Sequence, residues 1–316
     1  MSSRDVLVVV GATGMQGGGL ARAALADPRK RYSVRALTRN PDSEAAQVLA
    51  GMGAETVRAD LNDQDSVTAA FEGATAAFLV TNWLELMSPQ AEIEQARNMA
   101  RAAHVAGIDH VIWSTFEDSR KFVKPNDPNY PDVLGYKVPH IDAKASVDRY
   151  FTELGVPTTF LRTAFFWDNF TSMISMMRGD DGRLVLPFAM ADSRLAGIAG
   201  EDIGSVALGI LKGGDRFVGE TVSIAGEHLT GIEIAECLAD AMGESVQYRP
   251  VDVAVVRQGN FPLADDVANM FQFFIDHDQE LVASRSVELS RELHPRLASF
   301  TRWAQDNRER LRAAIV

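Results

Sequence analysis

The sequence has little of several features, and each shortage excludes a class of protein. Only one of the 316 residues is cysteine, so neither an internal disulfide framework nor a cysteine-rich metal site can form. Basic residues number 31 against 43 acidic residues, which gives a net charge of −12. That balance argues against direct nucleic-acid binding, because such proteins use a broad basic surface.

Long apolar runs are also missing, and none approaches the roughly 18 residues of a membrane-spanning helix. The first residues lead directly into a short apolar strand and show no secretory signal pattern. The hydrophobic fraction of 46% and the charged fraction of 23% are typical of folded soluble chains. We therefore expect a globular cytoplasmic protein with no membrane segment and no metal site.

The first half of the chain alternates short β-branched runs with helical patterns. The predicted strands are residues 6–10, 32–37, 55–58, 76–80, 110–114 and 158–162. The predicted helices are residues 15–26, 43–51, 64–71, 90–106 and 141–154. Strands separated by helices indicate βαβ crossovers and a parallel sheet, so the fold class is α/β. The proline-rich connection 117–140 is long enough to be either functional or disordered.

A glycine-rich turn joins the first predicted strand to the first predicted helix. Gly11, Gly14 and Gly17 have the spacing G-x-x-G-x-x-G. One glycine permits the tight turn, one lets the backbone approach a pyrophosphate, and one lets the helix pack against the strand. The first N–H groups of the helix then face the anion. The pattern predicts dinucleotide binding, and a tight turn without a ligand is the alternative.

The end of the second strand indicates which dinucleotide is bound. An NAD site places an acidic residue here, but this chain has none before Asp42. Arg39 lies just past the strand, where its guanidinium can bind a 2′-phosphate through two hydrogen bonds. We therefore predict NADP(H) as the cofactor; a solvated surface arginine is the alternative. Arg35 is set back within the strand and is predicted to lie on the sheet face or in solvent.

Two further strand ends complete the predicted site, because ligands of open α/β sheets bind beyond the carboxyl ends of the strands. Asp60 and Leu61 follow the third strand and are expected beside the adenine. Thr81, Asn82 and Trp83 follow the fourth strand and are expected along the path of the ribose and nicotinamide.

The helix after the fifth strand contains the candidate catalytic residues. In short-chain dehydrogenases and reductases a Tyr-x-x-x-Lys pair lies there on one helical face. Here the matching pair is His140 and Lys144, and Tyr136 cannot replace the tyrosine because Pro139 interrupts the helix. Lys144 is predicted to contact the nicotinamide ribose, with a general acid as the alternative. His140 is either an acid near neutral pH or a helix-capping or ribose contact.

Over nearly its whole length the chain resembles the NmrA-like family of atypical short-chain dehydrogenases/reductases. The similarity is greatest to the branch described as NADPH-responsive redox sensors. Besides the glycine turn, the segments that carry the resemblance are 34–41, 80–83, 139–144, 155–157, 166–170, 219–220 and 261–271.

The resemblance implies a Rossmann-type, doubly wound parallel sheet with a smaller C-terminal α+β domain. The NADP-binding domain would comprise residues 1–163 plus a returning strand near 220–224. The smaller domain would comprise residues 164–316 and would form a cleft with the first. The residues implied to contact the cofactor are Gly11, Thr13, Gly14, Met15, Gln16, Gly17, Arg39, Asp60, Leu61, Thr81, Asn82, Trp83, Lys144, Phe166, Trp167, Asp168 and Asn169.

Two functions follow from the resemblance. The first is a cofactor-gated redox sensor or regulator with weak or no dehydrogenase activity, which acts on a protein partner or through a homodimer. The alternative is an NADPH-dependent reductase of a small carbonyl, imine or quinone. The sequence leaves open whether the chain is an enzyme, because His140 replaces the tyrosine of the Tyr-x-x-x-Lys pair. In an NADPH-dependent oxidoreductase the proton could come from Lys144, His140, Ser114, Thr115 or a bound water. Direct thiol sensing by Cys237 is not expected.

Overall fold

The structure is a computed structural model that describes residues 5–316, and these residues group into two compact units. The first unit comprises residues 5–118, 140–163 and 200–222, and the second comprises residues 119–139, 164–199 and 223–316. The predicted domain limits assign residues 119–139 to the NADP-binding domain and residues 200–219 to the smaller domain, whereas the structure groups residues 119–139 with the second unit and residues 200–222 with the first.

The strands and helices follow in chain order. The strands are β1 (Asp5–Val9), β2 (Tyr32–Thr38), β3 (Glu55–Arg58), β4 (Ala76–Leu79), β5 (His110–Thr115), β6 (Thr158–Arg162), β7 (Phe165–Phe166), β8 (Met177–Arg178), β9 (Leu184–Phe188), β10 (Leu195–Ile198), β11 (Thr221–Ser223), β12 (Glu227–Leu229) and β13 (Val246–Pro250). The helices are α1 (Met15–Ala26), α2 (Glu44–Gly51), α3 (Gln64–Phe71), α4 (Trp83–Leu86), α5 (Pro89–Ala106), α6 (Pro139–Ala145), α7 (Asp148–Glu153), α8 (Gly200–Gly213), α9 (Gly231–Met242), α10 (Val253–Arg257), α11 (Ala264–Asp276), α12 (Asp278–Ser284), α13 (Val287–Leu293), α14 (Phe300–Asp306) and α15 (Arg308–Ala313). Short 3-10 helices add Ser119–Lys121, Trp167–Thr171 and Gly214–Phe217. None of the helices within residues 5–316 has both the length and the apolarity needed to cross a bilayer.

A seven-stranded sheet forms the centre of the first unit, in the order β11-β6-β5-β4-β1-β2-β3. Strands β1 to β6 pair in parallel, and helices flank the sheet, so the predicted Rossmann-type α/β fold is confirmed. Val8 and Val9 of β1 are fully buried, as expected for a strand covered on both faces. Val8 belongs to a core that also contains Leu79, Trp113 and Phe151.

One predicted helix is interrupted in the structure. The pattern predicts a single helix over residues 141–154, whereas α6 ends at Ala145 and α7 begins at Asp148. Between them the Ser146 hydroxyl donates a hydrogen bond to the carbonyl of Asp142, at 2.6 Å. A serine side chain that bonds to the carbonyl four residues earlier bends a helix, and residue patterning does not reveal this local competition.

The second unit contains two three-stranded sheets, β12-β10-β7 and β13-β9-β8. Its core is rich in aromatic rings: Trp167 lies 5.3 Å from Phe300 and 6.2 Å from Trp303, measured between ring centroids. All three rings are buried, and they pack the 3-10 helix at Trp167 against α14. Residues 300–313 therefore serve to close the core of this unit.

The proline-rich connection 119–139 is ordered within the second unit. The amide of Asn269, on α11, donates hydrogen bonds to the carbonyls of Pro131 (2.9 Å) and Lys137 (2.6 Å). The Tyr130 hydroxyl donates to a carboxylate oxygen of Asp276 at 2.8 Å. Because Asn269 is fully buried, its two hydrogen bonds are protected from solvent. They attach the connection to α11.

Candidate functional site

The glycine turn after β1 has the steric properties that the sequence predicts. Gly11 has φ +64°, a left-handed conformation that favours glycine. A Cβ atom at Gly17 would lie 2.5 Å from the carbonyl oxygens of Val10 and Gly11, so only glycine allows α1 to approach the strand this closely. The Gly14 N–H donates to the Gly11 carbonyl at 2.9 Å and closes the turn.

The beginning of α1 is suited to an anion. Gly14 is its N-cap and supplies no side-chain acceptor, and the first turn has no acidic residue. Thr13, Gly14 and Met15 are exposed. The first N–H groups of a helix lack intrahelical acceptors, so here they combine a partial positive charge with access from solvent. A pyrophosphate has the charge and the acceptor oxygens that fit this turn.

Arg39 lies beyond the end of β2 and is ion-paired. Its two terminal nitrogens donate to the two carboxylate oxygens of Glu85, which lies on α4; the Nη2–Oε2 distance is 3.0 Å. Both side chains are largely exposed. By contrast, Arg35 bonds to Glu55 at 2.8 Å and to the carbonyl of Glu72, just past α3, at 2.7 Å. Arg35 therefore joins β2 to its neighbouring elements, while Arg39 is the arginine that solvent reaches.

Helix α5 holds the loop that follows β3. The Asp60 carboxylate accepts hydrogen bonds from the backbone and side chain of Asn62, at 2.9 and 3.0 Å. From α5, the Asn98 amide donates to the Leu61 carbonyl at 2.9 Å, and the Gln95 amide donates to Asn62 at 3.1 Å. Asp60 is exposed and Leu61 is half-buried, so both lie in a fixed loop at the carboxyl edge of the sheet.

The structure brings Thr81 and Lys144 together around a buried carboxylate. The Lys144 ammonium donates to Glu92 Oε1 at 2.5 Å, to the Thr81 hydroxyl at 2.6 Å and to the Thr81 carbonyl at 3.1 Å. The Thr81 hydroxyl in turn donates to Glu92 Oε1 at 2.7 Å. The side chains of Lys144 and Glu92 are 7% and 1% exposed. An ammonium group has three N–H donors, so all three are engaged within the protein.

His140 lies among aromatic rings at the start of α6. Its ring centroid is 6.0 Å from that of Trp83 and 6.3 Å from that of Phe116. His140 and Lys144 are four residues apart on α6, whereas Tyr136 precedes the helix and bridges to Val133. The helix therefore carries histidine and lysine at the spacing of the Tyr-x-x-x-Lys pair.

Gln16 connects the glycine turn to the end of β5. Its side-chain oxygen accepts a hydrogen bond from the Ser114 hydroxyl at 2.8 Å. Thr115, one residue on, donates instead to Asp148 at 2.8 Å, and Asp148 also accepts from the Trp113 indole at 3.0 Å. The two β5 hydroxyls thus have different partners, and Ser114 is the one joined to a predicted cofactor contact.

The segment Phe166–Asn169 belongs to the second unit. Trp167 is almost fully buried in the aromatic core, and Phe166, Asp168 and Asn169 are half-buried. The Asn169 carbonyl accepts backbone hydrogen bonds from Met173 and Ile174. The Trp167 ring is thus engaged in packing, and cofactor contact by these four residues stays a prediction.

Cys237 is half-buried on α9 in the second unit. Burial raises the pKa of its thiol above the ordinary value, and the partial compensation comes from the Thr301 hydroxyl, which donates to the sulfur at 3.2 Å. A raised pKa disfavours the thiolate, which is the reactive form.

Sequence reasoning missed two glutamates, Glu85 and Glu92. The burial pattern of α5 offers a signal for the second: Ala96, Met99 and Ala103 form its buried stripe, and one turn back along that stripe lies Glu92. A carboxylate on a buried helix face requires a cationic partner, and Lys144 is the cation that provides it. No comparable signal exists for the exposed Glu85, because its contact depends on the strand order.

The sequence profile of the NmrA-like family matches residues 3–304. The chain belongs to the NmrA-like family. Among curated relatives, the NmrA-like family domain-containing oxidoreductase FrzB of Cladobotryum sp is 28% identical over 301 residues, which cover 85% of this chain and 83% of that protein. The resemblance to the NmrA-like family found in the sequence is thereby confirmed.

Solved structures of NmrA-like and related proteins share the fold. The crystal structure of NmrA, described as a negative transcriptional regulator, in complex with NADP has a TM-score of 0.78 and 23% identity, and covers 96% of this chain and 95% of that one. The NmrA complex with NAD has a TM-score of 0.79 at 24% identity, with the same coverage. The NADPH-dependent quinone oxidoreductase QOR2 of Escherichia coli, complexed with NADPH, has a TM-score of 0.72 and 20% identity, and covers 95% and 99%.

Proposed function

We propose that this NmrA-like protein binds NADP(H) at the carboxyl edge of its seven-stranded sheet and acts as a cofactor-responsive regulator with weak or no dehydrogenase activity. The observation that carries the proposal is the glycine turn, where Gly17 allows α1 to approach β1 and the helix N-terminus is uncapped and exposed. The NAD and NADP complexes of NmrA support this choice of ligand class.

Each strand end has a distinct role in this proposal. The turn Gly11–Gly17 binds the pyrophosphate through its N–H groups, and Arg39 binds the 2′-phosphate. The loop of Asp60 and Leu61, fixed by α5, lies beside the adenine. Lys144 stands beside the nicotinamide ribose, and one of its bonds to Thr81 or Glu92 must give way before its ammonium can donate to a ribose hydroxyl. A nicotinamide bound there would supply hydride-transfer chemistry, and the residues of the chain would have to move the accompanying proton.

The chain is poorly equipped for that proton transfer, and this favours regulation. The tyrosine of the Tyr-x-x-x-Lys pair is replaced by His140. All three N–H donors of Lys144 bond to Thr81 and Glu92, so the ammonium must break a bond before it can act on a substrate. A site that binds the nucleotide and transfers protons slowly is suited to sensing.

Regulation requires that the cofactor bind two states of the protein with different affinity, because equal binding shifts no equilibrium. A coupling of about 1–3 kcal/mol is sufficient to alter the binding of a partner protein or the formation of a homodimer. We expect NADPH and NADP to differ in how strongly they shift the equilibrium between the two states. Small-angle scattering and sedimentation with each form of the cofactor measure it, and identical profiles with NADPH, with NADP and without either would contradict the regulatory proposal.

The cofactor assignment is tested by calorimetry on Arg39→Ala. A charge-assisted pair contributes about 1.5–3 kcal/mol, so the variant is expected to lose about ten- to a hundredfold in affinity for NADPH and little for NADH. Arg149→Ala removes an arginine that is exposed on α7 of the same unit and serves as the matched control. Equal losses of NADPH and NADH affinity would rule out Arg39 as the 2′-phosphate ligand.

A second candidate function is favoured by the names of the curated relatives, several of which are called oxidoreductases. In this alternative the protein reduces a small carbonyl, imine or quinone with NADPH. The experiment is NADPH consumption over a panel of quinones, aldehydes and imines. Steady turnover that Lys144→Ala abolishes, with NADPH binding retained, would establish the reductase and displace the regulator.

A further inference from the structure

The ion pair between Arg39 and Glu85 joins two segments that flank the glycine turn. Arg39 follows β2, and Glu85 lies on α4, which follows β4. Strand β1 lies between β2 and β4 in the sheet. The pair therefore connects the chain segments on either side of β1, at the edge where the proposed cofactor binds.

The geometry of the pair is that of an arginine bound to an oxyanion. Both terminal nitrogens of Arg39 donate to Glu85, one to each carboxylate oxygen. A phosphate presents two oxygens to a guanidinium in the same parallel arrangement. The Glu85 carboxylate and a 2′-phosphate thus need the same two donors, and two anions on one guanidinium repel each other.

We propose that Glu85 is a specificity-determining residue, which competes with the 2′-phosphate of NADP(H) for Arg39 and reduces the preference for NADP(H) over NAD(H). This inference rests on the proposed cofactor function. Arg39 and Glu85 have side chains that are 68% and 42% exposed, so water and salt weaken their pairing and the carboxylate can be displaced. Glu85 therefore moderates binding of the phosphorylated cofactor and does not block it.

The test is calorimetry on Glu85→Gln with two pairs of probes. NADPH and NADH differ by the 2′-phosphate in the intact cofactor, and adenosine 2′,5′-bisphosphate and AMP differ by it in the adenosine half. Glutamine keeps the size of the side chain and removes its charge. Loss of an exposed ion pair corresponds to a change of about two- to fivefold, so the variant is expected to bind NADPH and the bisphosphate that much more tightly. Affinity for NADH and AMP is expected to stay unchanged.

Glu244→Gln is the matched control, because Glu244 forms the same two-bond arrangement with Arg178 on the second unit and should alter none of the four affinities. An unchanged NADPH to NADH ratio in Glu85→Gln would overturn the inference. Weaker NADPH binding in the variant would also overturn it, since Glu85 would then orient Arg39 toward the phosphate. In both cases the Arg39→Ala measurement still tests the proposed NADP(H) site independently of Glu85. Absence of heat with every probe in the unaltered protein would overturn the cofactor proposal and this inference together.

Discussion

Replacement of Glu92 by glutamine tests whether Lys144 depends on a buried ion pair. Glutamine preserves the shape of the side chain and an acceptor oxygen for Lys144 and Thr81, but it removes the negative charge. Removal of one partner of a buried pair leaves the other charge uncompensated and costs about 3–5 kcal/mol. With both side chains almost fully buried, Glu92→Gln is expected to lower the free energy of unfolding by an amount in that range.

The assay is urea unfolding combined with hydrogen exchange measured by mass spectrometry, so that the loss is assigned to α5 and α6. Glu94→Gln is the matched control, because Glu94 lies on the same helix and forms an exposed pair with Arg97. Exposed pairs of this kind contribute about 0.2–1 kcal/mol. If Glu92→Gln destabilised the protein no more than Glu94→Gln, Lys144 would not be held by a buried carboxylate, and the argument against proton transfer would fail.

Two further predictions concern the turn and the pH dependence of stability. Gly17→Ala places a methyl group against two backbone carbonyls and is expected to abolish NADPH binding in calorimetry. The control is Gly51→Ala on α2, where no neighbouring atom lies within 4 Å of the added carbon, and this variant should leave binding intact. Retained binding in Gly17→Ala would contradict the proposed approach of α1 to β1. Burial lowers the pKa of His110 below its ordinary value of 6.5, so the unfolded chain takes up a proton first as the pH falls, and stability from this residue is lost progressively below about pH 6.5. Urea unfolding between pH 7.5 and 5.5 should show a smaller loss in His110→Gln, and a parallel dependence in the two proteins would refute the assignment.

The sheet of the first unit could be predicted because its strands are marked locally. Runs such as Val6–Val10 are apolar throughout, which is the pattern of a strand buried on both faces, and β1 is found at Asp5–Val9. The glycine turn is equally local, since its requirements involve atoms a few residues apart. The interruption near Ser146 was not predictable from periodicity, because periodicity does not show that the Ser146 hydroxyl bonds to the backbone there.

The ion pairs of the site were missed because their partners are far apart in sequence. Glu92 and Lys144 are separated by 52 residues, and Arg39 and Glu85 by 46. Residue patterns show which side chains are charged but not which strands become neighbours. Only the order β4-β1-β2 brings the segments after β2 and β4 to the two sides of the turn. Cation positions can therefore be read from the sequence, whereas the identity of the glutamate that pairs with each cation requires the fold.

Both cations that the sequence assigns to the cofactor, Arg39 and Lys144, are bound to glutamates in the structure. The two pairs differ in burial, and this difference gives them different consequences. The exposed Glu85 can be displaced by a phosphate, so it adjusts affinity. The buried Glu92 cannot be displaced without a large loss of stability, so it fixes the position of Lys144. In the regulator that we propose, the first pair would adjust the affinity for the nucleotide while the second keeps Lys144 in place.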